Sequence, residues 1–245
     1  MKKFSILTIA FCCAAFFAAA QNNKNVEIVA TQLSPQVFML KAMGGNIGVL
    51  VGNDGALMID DQFEPLAPLI ENKIREISKS SESKIKFVVN THFHGDHTGA
   101  NTYFKKSASI LAHENVRKRL AEKNSQALPV VTYLQGIKLH LNGENVHVRH
   151  LASGHTDGDS VVYFEQANVW HLGDLFFNNM FPYVDLGSGG SVQGYKANIK
   201  SLLKEIDKKA KIIPGHGELA NRADLETLLA MIEATEAEVM QLKKQ

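Results

Sequence analysis

Apolar residues follow two rhythms along this chain, and the rhythm switches several times. The segments NVEIVA, QVFMLKA, IGVLVG and GALMIDD are short apolar runs, broken at Ser34-Pro35, Gly44-Gly45 and Asn53-Asp54-Gly55. Runs of that length between turn formers predict strands, and breaks that short predict hairpins, hence an antiparallel meander. The period then lengthens. Leu66, Ile70, Ile74 and Ile77 recur behind Pro65 at the spacing of one helix face. KIKFVVNT returns to a buried strand, SILAH reads as a weaker one, and ENVRKRLAEKN as a polar helix.

The second half uses the same elements. GIKLHLNGENVHVRHL predicts a hairpin turning on Asn142-Gly143, and SVVYFEQANVWHLGDLFF two further strands. Tyr195, Ile199, Leu202 and Ile206 mark a helix, KIIPGHG a strand and turn, and Leu225, Leu228, Ile232, Val239 and Leu242 a closing helix. Strands followed by helix, twice, predict an α/β protein of two comparable halves of sheet with helices on the outer faces. No residue-level repeat and no linker separates them.

Composition changes this picture at one end. The first twenty residues, MKKFSILTIAFCCAAFFAAA, place Lys2 and Lys3 before an apolar stretch that ends in Ala18-Ala19-Ala20. That is the layout of a cleavable secretory signal over 1–20, with a short membrane anchor as the alternative. Residues 21–245 then form one domain, exported to the periplasm or the medium, with no stable membrane association after cleavage. Removing 1–20 leaves 24 basic against 25 acidic residues. Such a balance offers no electrostatic footprint for nucleic acid. Both cysteines, Cys12 and Cys13, leave with the signal, so a metal site in the exported form must use imidazoles and carboxylates. Nothing in the sequence bears on oligomeric state.

The chemistry concentrates in VVNTHFHGDHTGAN, where His92, His94, Asp96 and His97 fall within six residues. Residues two apart in an extended segment share a side, so His92 and His94 can aim at one point. Gly95 then allows a sharp turn that sends Asp96 and His97 around a neighbouring point. Three more candidates stand beside glycines near strand ends: His155 in SGHTDGD, Asp174 in LGDLFF and His216 in PGHGE. Each alone reads more readily as an ordinary turn residue. With the cluster they make seven groups, enough for two metal ions. Asp60 in LMIDDQF is either a carboxylate that fixes a ligand ring or a strand-end turn residue. His113, His140, His147, His150 and His171 read as structural or solvated. In the loops, Met43, Asn46, Phe177 and Tyr183 are candidate contacts for a substrate with a nonpolar body, or else loop packing.

The order His92-x-His94-x-Asp96-His97, then His155, Asp174 and His216, resembles the metallo-β-lactamase superfamily of binuclear metallohydrolases over nearly the whole mature chain. The resemblance implies an αββα sandwich with the site at one edge between the sheets. It implies that His92, His94 and His155 hold one ion, that Asp96, His97 and His216 hold the other, and that Asp174 bridges them. It further implies two zinc ions, although an all nitrogen-and-oxygen set also suits manganese or iron. A hydroxide held between the ions would then be the nucleophile, with Asp96 orienting it and relaying a proton. The expected activity is hydrolysis of a small cyclic amide, lactone or ester, with β-lactams among the candidates. Two departures count against efficient β-lactam hydrolysis. The zinc β-lactamases have cysteine where this chain has Asp174, and a carboxylate-gripping lysine where it has Phe177. An aspartate bridge instead resembles glyoxalase II-like thioesterases and lactonases, although here only one predicted helix follows His216. The alternative from another class is a non-catalytic periplasmic metal-binding protein.

Overall fold

A computed structural model describes residues 26–78, 84–123 and 125–244, so the expected signal over 1–20 lies outside the described residues. The first sheet runs in the order β1 (Val29–Gln32), β2 (Val37–Lys41), β3 (Ile47–Leu50), β4 (Ala56–Ile59), β5 (Ile85–Asn90), β6 (Ser109–His113) and β7 (Val131–Tyr133). Its first four strands are the antiparallel meander, and β4 through β7 pair in parallel. The second sheet contains β8 (Gly136–Leu141), β9 (Glu144–His150), β10 (Ser160–Phe164), β11 (Val169–His171), β12 (Lys211–Ile213) and β13 (Ala220–Asn221). Within it only β11 and β12 pair in parallel.

The helices are α1 (Ala67–Ser78), the short turns α2 (Gly95–Thr98) and α3 (Asn101–Phe104), α4 (Glu114–Glu122), α5 (Val192–Glu205) and α6 (Arg222–Leu242). Strand alternation explains the layering. In β2, Val37 and Met39 point between the sheets, while Phe38 and Leu40 point out against α1 and its Ile70 and Ile74. In the second sheet Val162, Phe164, Val169 and Ile213 meet the first sheet. Val161, Trp170 and Ile212 meet Tyr195, Ile199 and Leu202 of α5 and Leu225, Leu228 and Ile232 of α6. Strands apolar on both faces thus require helices outside, and the predicted αββα sandwich is the result.

Four elements escape the sequence pattern: β7, β13, α2 and α3 are each two to four residues long, too short for a period to register. SILAH, read as weak, is the well-buried strand β6. The closing stripe runs past its sheet, so Val239 and Leu242 are exposed.

The five other histidines all have local partners. His113 and His150 stack with ring centroids 3.7 Å apart and planes 10° apart. His113 Nε2 donates to Leu134 O at 3.0 Å, and its Nδ1 accepts the Asn115 N–H that opens α4, at 3.2 Å. His150 donates Nδ1–H to Asp159 O at 2.8 Å. Burial pushes both imidazoles down, and for His113 the neighbouring His150 adds to the effect. The unfolded chain therefore binds protons near the ordinary histidine pKa of about 6.5, before the folded one does. Their contribution to stability is present above that pH and is lost as pH falls below it. Urea unfolding at pH 7 and pH 5 is expected to show a smaller acid loss in a His113→Gln/His150→Gln variant than in the parent. An unchanged difference between the two pH values would refute this assignment.

Candidate metal centre

Parallel pairing brings four chain segments to one edge of the sandwich. Asp60 follows β4 and His92 follows its parallel neighbour β5, while Asp174 follows β11 and His216 follows its parallel neighbour β12. Loops at the carboxyl ends of parallel strands open on the same side, which is why such edges collect functional groups. A backbone bond from Asn46 N to Gly215 O at 2.7 Å ties the two sheets together there.

The opening cluster folds differently from the simple alternation argument. Strand β5 stops at Asn90, so His92 and His94 lie in the turn beyond it, and His94 precedes α2 with φ −66° and ψ 149°. Asp96 and His97 occupy that helical turn. Gly95 has no positive φ, and a Cβ there would meet nothing within 4 Å, so sterics do not demand glycine at this position. Close approach is needed elsewhere. A Cβ at Gly45 would sit 2.2 Å from His97 Cε1, and one at Gly215 would sit 2.1 Å from Asp174 Oδ1.

All seven predicted groups converge. His92, His94, His155 and Asp174 form one set and Asp96, His97 and His216 another, with the ligand atoms of each set within 4.8 Å of one another. Asp174 faces both. Its Oδ2 is 3.4 Å from His155 Nε2 and 3.7 Å from His92 Nε2, while its Oδ1 is 3.1 Å from His97 Nε2 and 3.4 Å from His216 Nε2. Asp96 Oδ2 stands 3.2 Å from His216 Nε2 and 3.5 Å from His97 Nε2.

The outer nitrogens of four rings are held by acceptors, which fixes what the inner nitrogens can do. His97 donates Nδ1–H to Asp60 Oδ2 at 2.8 Å, and His155 donates Nδ1–H to Tyr183 O at 2.7 Å. His94 donates Nε2–H to Asp185 Oδ2 at 3.0 Å. Thr91 gives its own hydroxyl hydrogen to Asp60 Oδ2 at 2.8 Å, so its Oγ1 accepts from His92 Nδ1 at 3.1 Å. In the neutral rings each inner nitrogen is then a lone pair aimed at the centre, as with His155 Nε2 and His94 Nδ1 only 2.9 Å apart. Facing lone pairs repel unless a proton or a metal ion lies between them, so the arrangement suits a cation. Asp174 Oδ1 is fully buried with no aligned hydrogen bond, a second sign that the set fits a metal.

The charge pattern agrees. Burial opposes ionisation of Asp174, yet His97 and His92 together with the His216 contact hold its carboxyl well below the usual range. Burial likewise opposes protonation of His97, but Asp174 and Asp60 raise it well above the ordinary imidazole value. His216, favoured by Asp174 and Asp96 against its burial, is pushed up to about 9. In metal-free protein these carboxylates hold protons on the rings. Loading with a cation releases them.

The carboxylate of Asp60 supports both sets, His97 directly and His92 through Thr91. It also accepts Thr91 N at 2.7 Å and sits at φ +63°, a left-handed position uncommon for aspartate. Asp60→Ala is expected to weaken metal binding about 10- to 100-fold at both sets, measured by competition with a chromophoric chelator. Weakening confined to one set would contradict the shared role.

The loop residues divide. Tyr183 is 60% exposed, with its ring centroid 5.9 Å from that of His155 and 6.2 Å from that of His94. Met43 is exposed beside Gly44, on the hairpin that touches Asp96 and His97. Asn46, expected as a substrate contact, is buried instead. Its amide donates to Pro214 O and Gly217 O, both at 2.9 Å, and its carbonyl accepts from His171 Nε2. It clamps the His216 turn and has no donor left for a ligand. Phe177 is also buried, stacked on His216 with centroids 5.1 Å apart, so it is a wall behind a ring and not an open contact. Sequence reasoning missed Thr91 and Asp185. Thr91 adjoins the motif, whereas Asp185 in PYVDLGSGG carries no local signal beyond the turn it caps at Ser188.

Comparison with known proteins agrees with this geometry. Residues 40–216 match the metallo-β-lactamase superfamily. The chain is 26% identical over 204 residues to a type 2 metallo-β-lactamase of Bacillus cereus, covering 83% of this chain and 77% of that protein. It is 28% identical over 170 residues to a hydroxyacylglutathione hydrolase of Pelagibacter ubique, covering 65% of this chain and 64% of that one. Among solved structures, a metallo-β-lactamase from Pontibacter korlensis shares the fold, with a TM-score of 0.73 at 19% identity over 84% of this chain and 99% of that one. Members of the family bind metal ions, typically zinc. This chain belongs to the metallo-β-lactamase superfamily and is a metal-dependent hydrolase.

Proposed function

We propose that the protein is an exported hydrolase that opens a small cyclic amide, lactone or ester at a centre of two metal ions, most simply zinc. The observation that carries this reading is the single carboxylate of Asp174 turned toward two separate sets of imidazoles. His92, His94 and His155 would hold one ion, Asp96, His97 and His216 the other, with Asp174 shared. When bound, such ions polarise a carbonyl and lower the pKa of water to about 7, so no serine or cysteine nucleophile is required.

The residues supply position and proton handling. Asp174 is only 5% exposed and stays ionised, whereas the Asp96 side chain is 30% exposed and reaches solvent at the mouth. Burial works against ionisation of Asp96, but the bond from His216 keeps its carboxyl below the usual range. An ionised, half-open carboxylate at that place can orient the attacking water and accept its proton. Phe177 and Tyr183 limit water around His216 and His155.

Export is supported by Lys2, Lys3 and the Ala18–Ala20 stretch, and no helix among the described residues is long and apolar enough to cross a membrane. The hydroxyacylglutathione hydrolase relative makes a thioester the second substrate to weigh. A panel of a chromogenic cephalosporin, lactones, thioesters and phosphodiesters, run with zinc, manganese and iron forms, tests the reading. Turnover is expected on acyl substrates and not on phosphodiesters, lost on chelation and restored by metal. Full metal loading without turnover of any acyl substrate would overturn it.

A further inference from the structure

Helix α6 outruns the sheet it covers. From 233 to 242 every residue is exposed except Glu236, so about 15 Å of helix stands clear of the core. Helical turns without packing are marginal in water. Yet the apolar spacing continues along them. Ile232, Thr235, Val239 and Leu242 recur at three, four and three, the spacing of a helix-pairing seam. Val239 is 44% and Leu242 61% exposed.

Beside this seam runs a groove of about 310 Å³, walled by Phe181, Pro182, Val184, Val192, Ile232 and Val239. The polar groups along it are already engaged. Thr235 Oγ1 donates to Met231 O at 2.8 Å, Tyr195 Oη donates to Asp174 O at 3.0 Å, and Glu236 accepts from Gln193 and ion-pairs with Lys196. An occupant is therefore met mainly by hydrocarbon, which suits an apolar helix face. Glu233, Glu236 and Glu238 on the same turns work against an anionic membrane surface.

Charge selects the partner. Lys243 makes no ion pair among the described residues and lies seven positions beyond Glu236, on the same flank of the seam. A two-fold axis that sets one helix antiparallel to its copy keeps each flank against its own counterpart. Placed between Met240 and Gln241, that axis puts Val239 opposite Leu242 twice and brings Lys243 of each copy to Glu236 of the other. Exposed pairs of this kind fix register more than strength, which the apolar seam supplies.

We propose that this face is a two-fold contact between copies of this chain, the outer turns of α6 lying antiparallel beside the two grooves. The contact needs neither metal nor substrate. It does bear on the centre, because Pro182 and Val184 line the groove while the Tyr183 carbonyl and the Asp185 carboxylate between and beyond them hold His155 and His94.

Sedimentation equilibrium of the metal-loaded protein, between about 5 and 200 µM, is expected to show monomer and dimer with a dissociation constant on the order of 10 µM, as suits a small interface. Leu242→Glu is expected to raise that constant about tenfold or more. Lys243→Glu is expected to raise it about threefold, an effect that fades in high salt. Crosslinking reads the register, since residues 21–245 contain no cysteine. In a mixture of Val239→Cys and Leu242→Cys proteins, disulfides between unlike variants are expected to exceed those between like ones about fivefold. Monomer throughout the range, a dimer indifferent to Leu242→Glu, or like-with-like crosslinking would overturn the proposal. So would a monomer that floats with phosphatidylcholine vesicles unless Leu242 is replaced, since the face would then belong to a lipid surface.

Discussion

Asp174→Ala is expected to cost more than any other single change at the centre. The variant loses the one carboxylate that reaches both sets, with Oδ1 3.1 Å from His97 and Oδ2 3.4 Å from His155. It also leaves five imidazoles facing one another without the buried anion that balances a cation. Metal content measured by mass spectrometry should fall below one ion per chain, and kcat/KM on the best substrate should fall by about 1,000-fold or more. Circular dichroism guards against trivial unfolding. Near-normal metal content together with near-normal turnover would mean that Asp174 bridges nothing.

The second large effect separates holding a metal from using it. In Asp96→Asn an amide oxygen replaces the carboxylate at the open side of the site, 3.2 Å from His216 and 3.5 Å from His97. Five imidazoles and Asp174 remain, so substantial metal should stay bound. An amide cannot take a proton, and turnover is expected to fall about 100- to 10,000-fold. Comparing kcat with KM shows where the loss lies: a drop in kcat at little-changed KM fits proton handling. Unchanged hydrolysis would remove Asp96 from the mechanism.

The sequence made the scaffold legible where a period had room to repeat. The four-strand meander, the Leu66–Ile77 helix and the Asn142-Gly143 hairpin all stand in the structure, because alternation and helical spacing are local signals. Two-residue β13 and three-residue β7 exist only because a neighbouring strand offers them hydrogen bonds. The histidines of the candidate centre could be singled out because Gly, His and Asp cluster at turns. Asn46 was misjudged for a long-range reason: the carbonyls that occupy its amide belong to Pro214 and Gly217, far away in sequence. Asp185 was missed for the same reason, since His94 lies 91 residues before it. His92 and His94 converge from the turn beyond β5 and not from the strand itself.

His92 through His97 follow a strand of the first sheet, and His155, Asp174 and His216 follow strands of the second. An ion held as proposed would act as a rivet across the sandwich, so that neither half could open without releasing it. A free ion at 100 times its dissociation constant adds about 2.7 kcal/mol to the folded state, a sizeable share of ordinary domain stability. Its persistence would then track the metal supply of its surroundings.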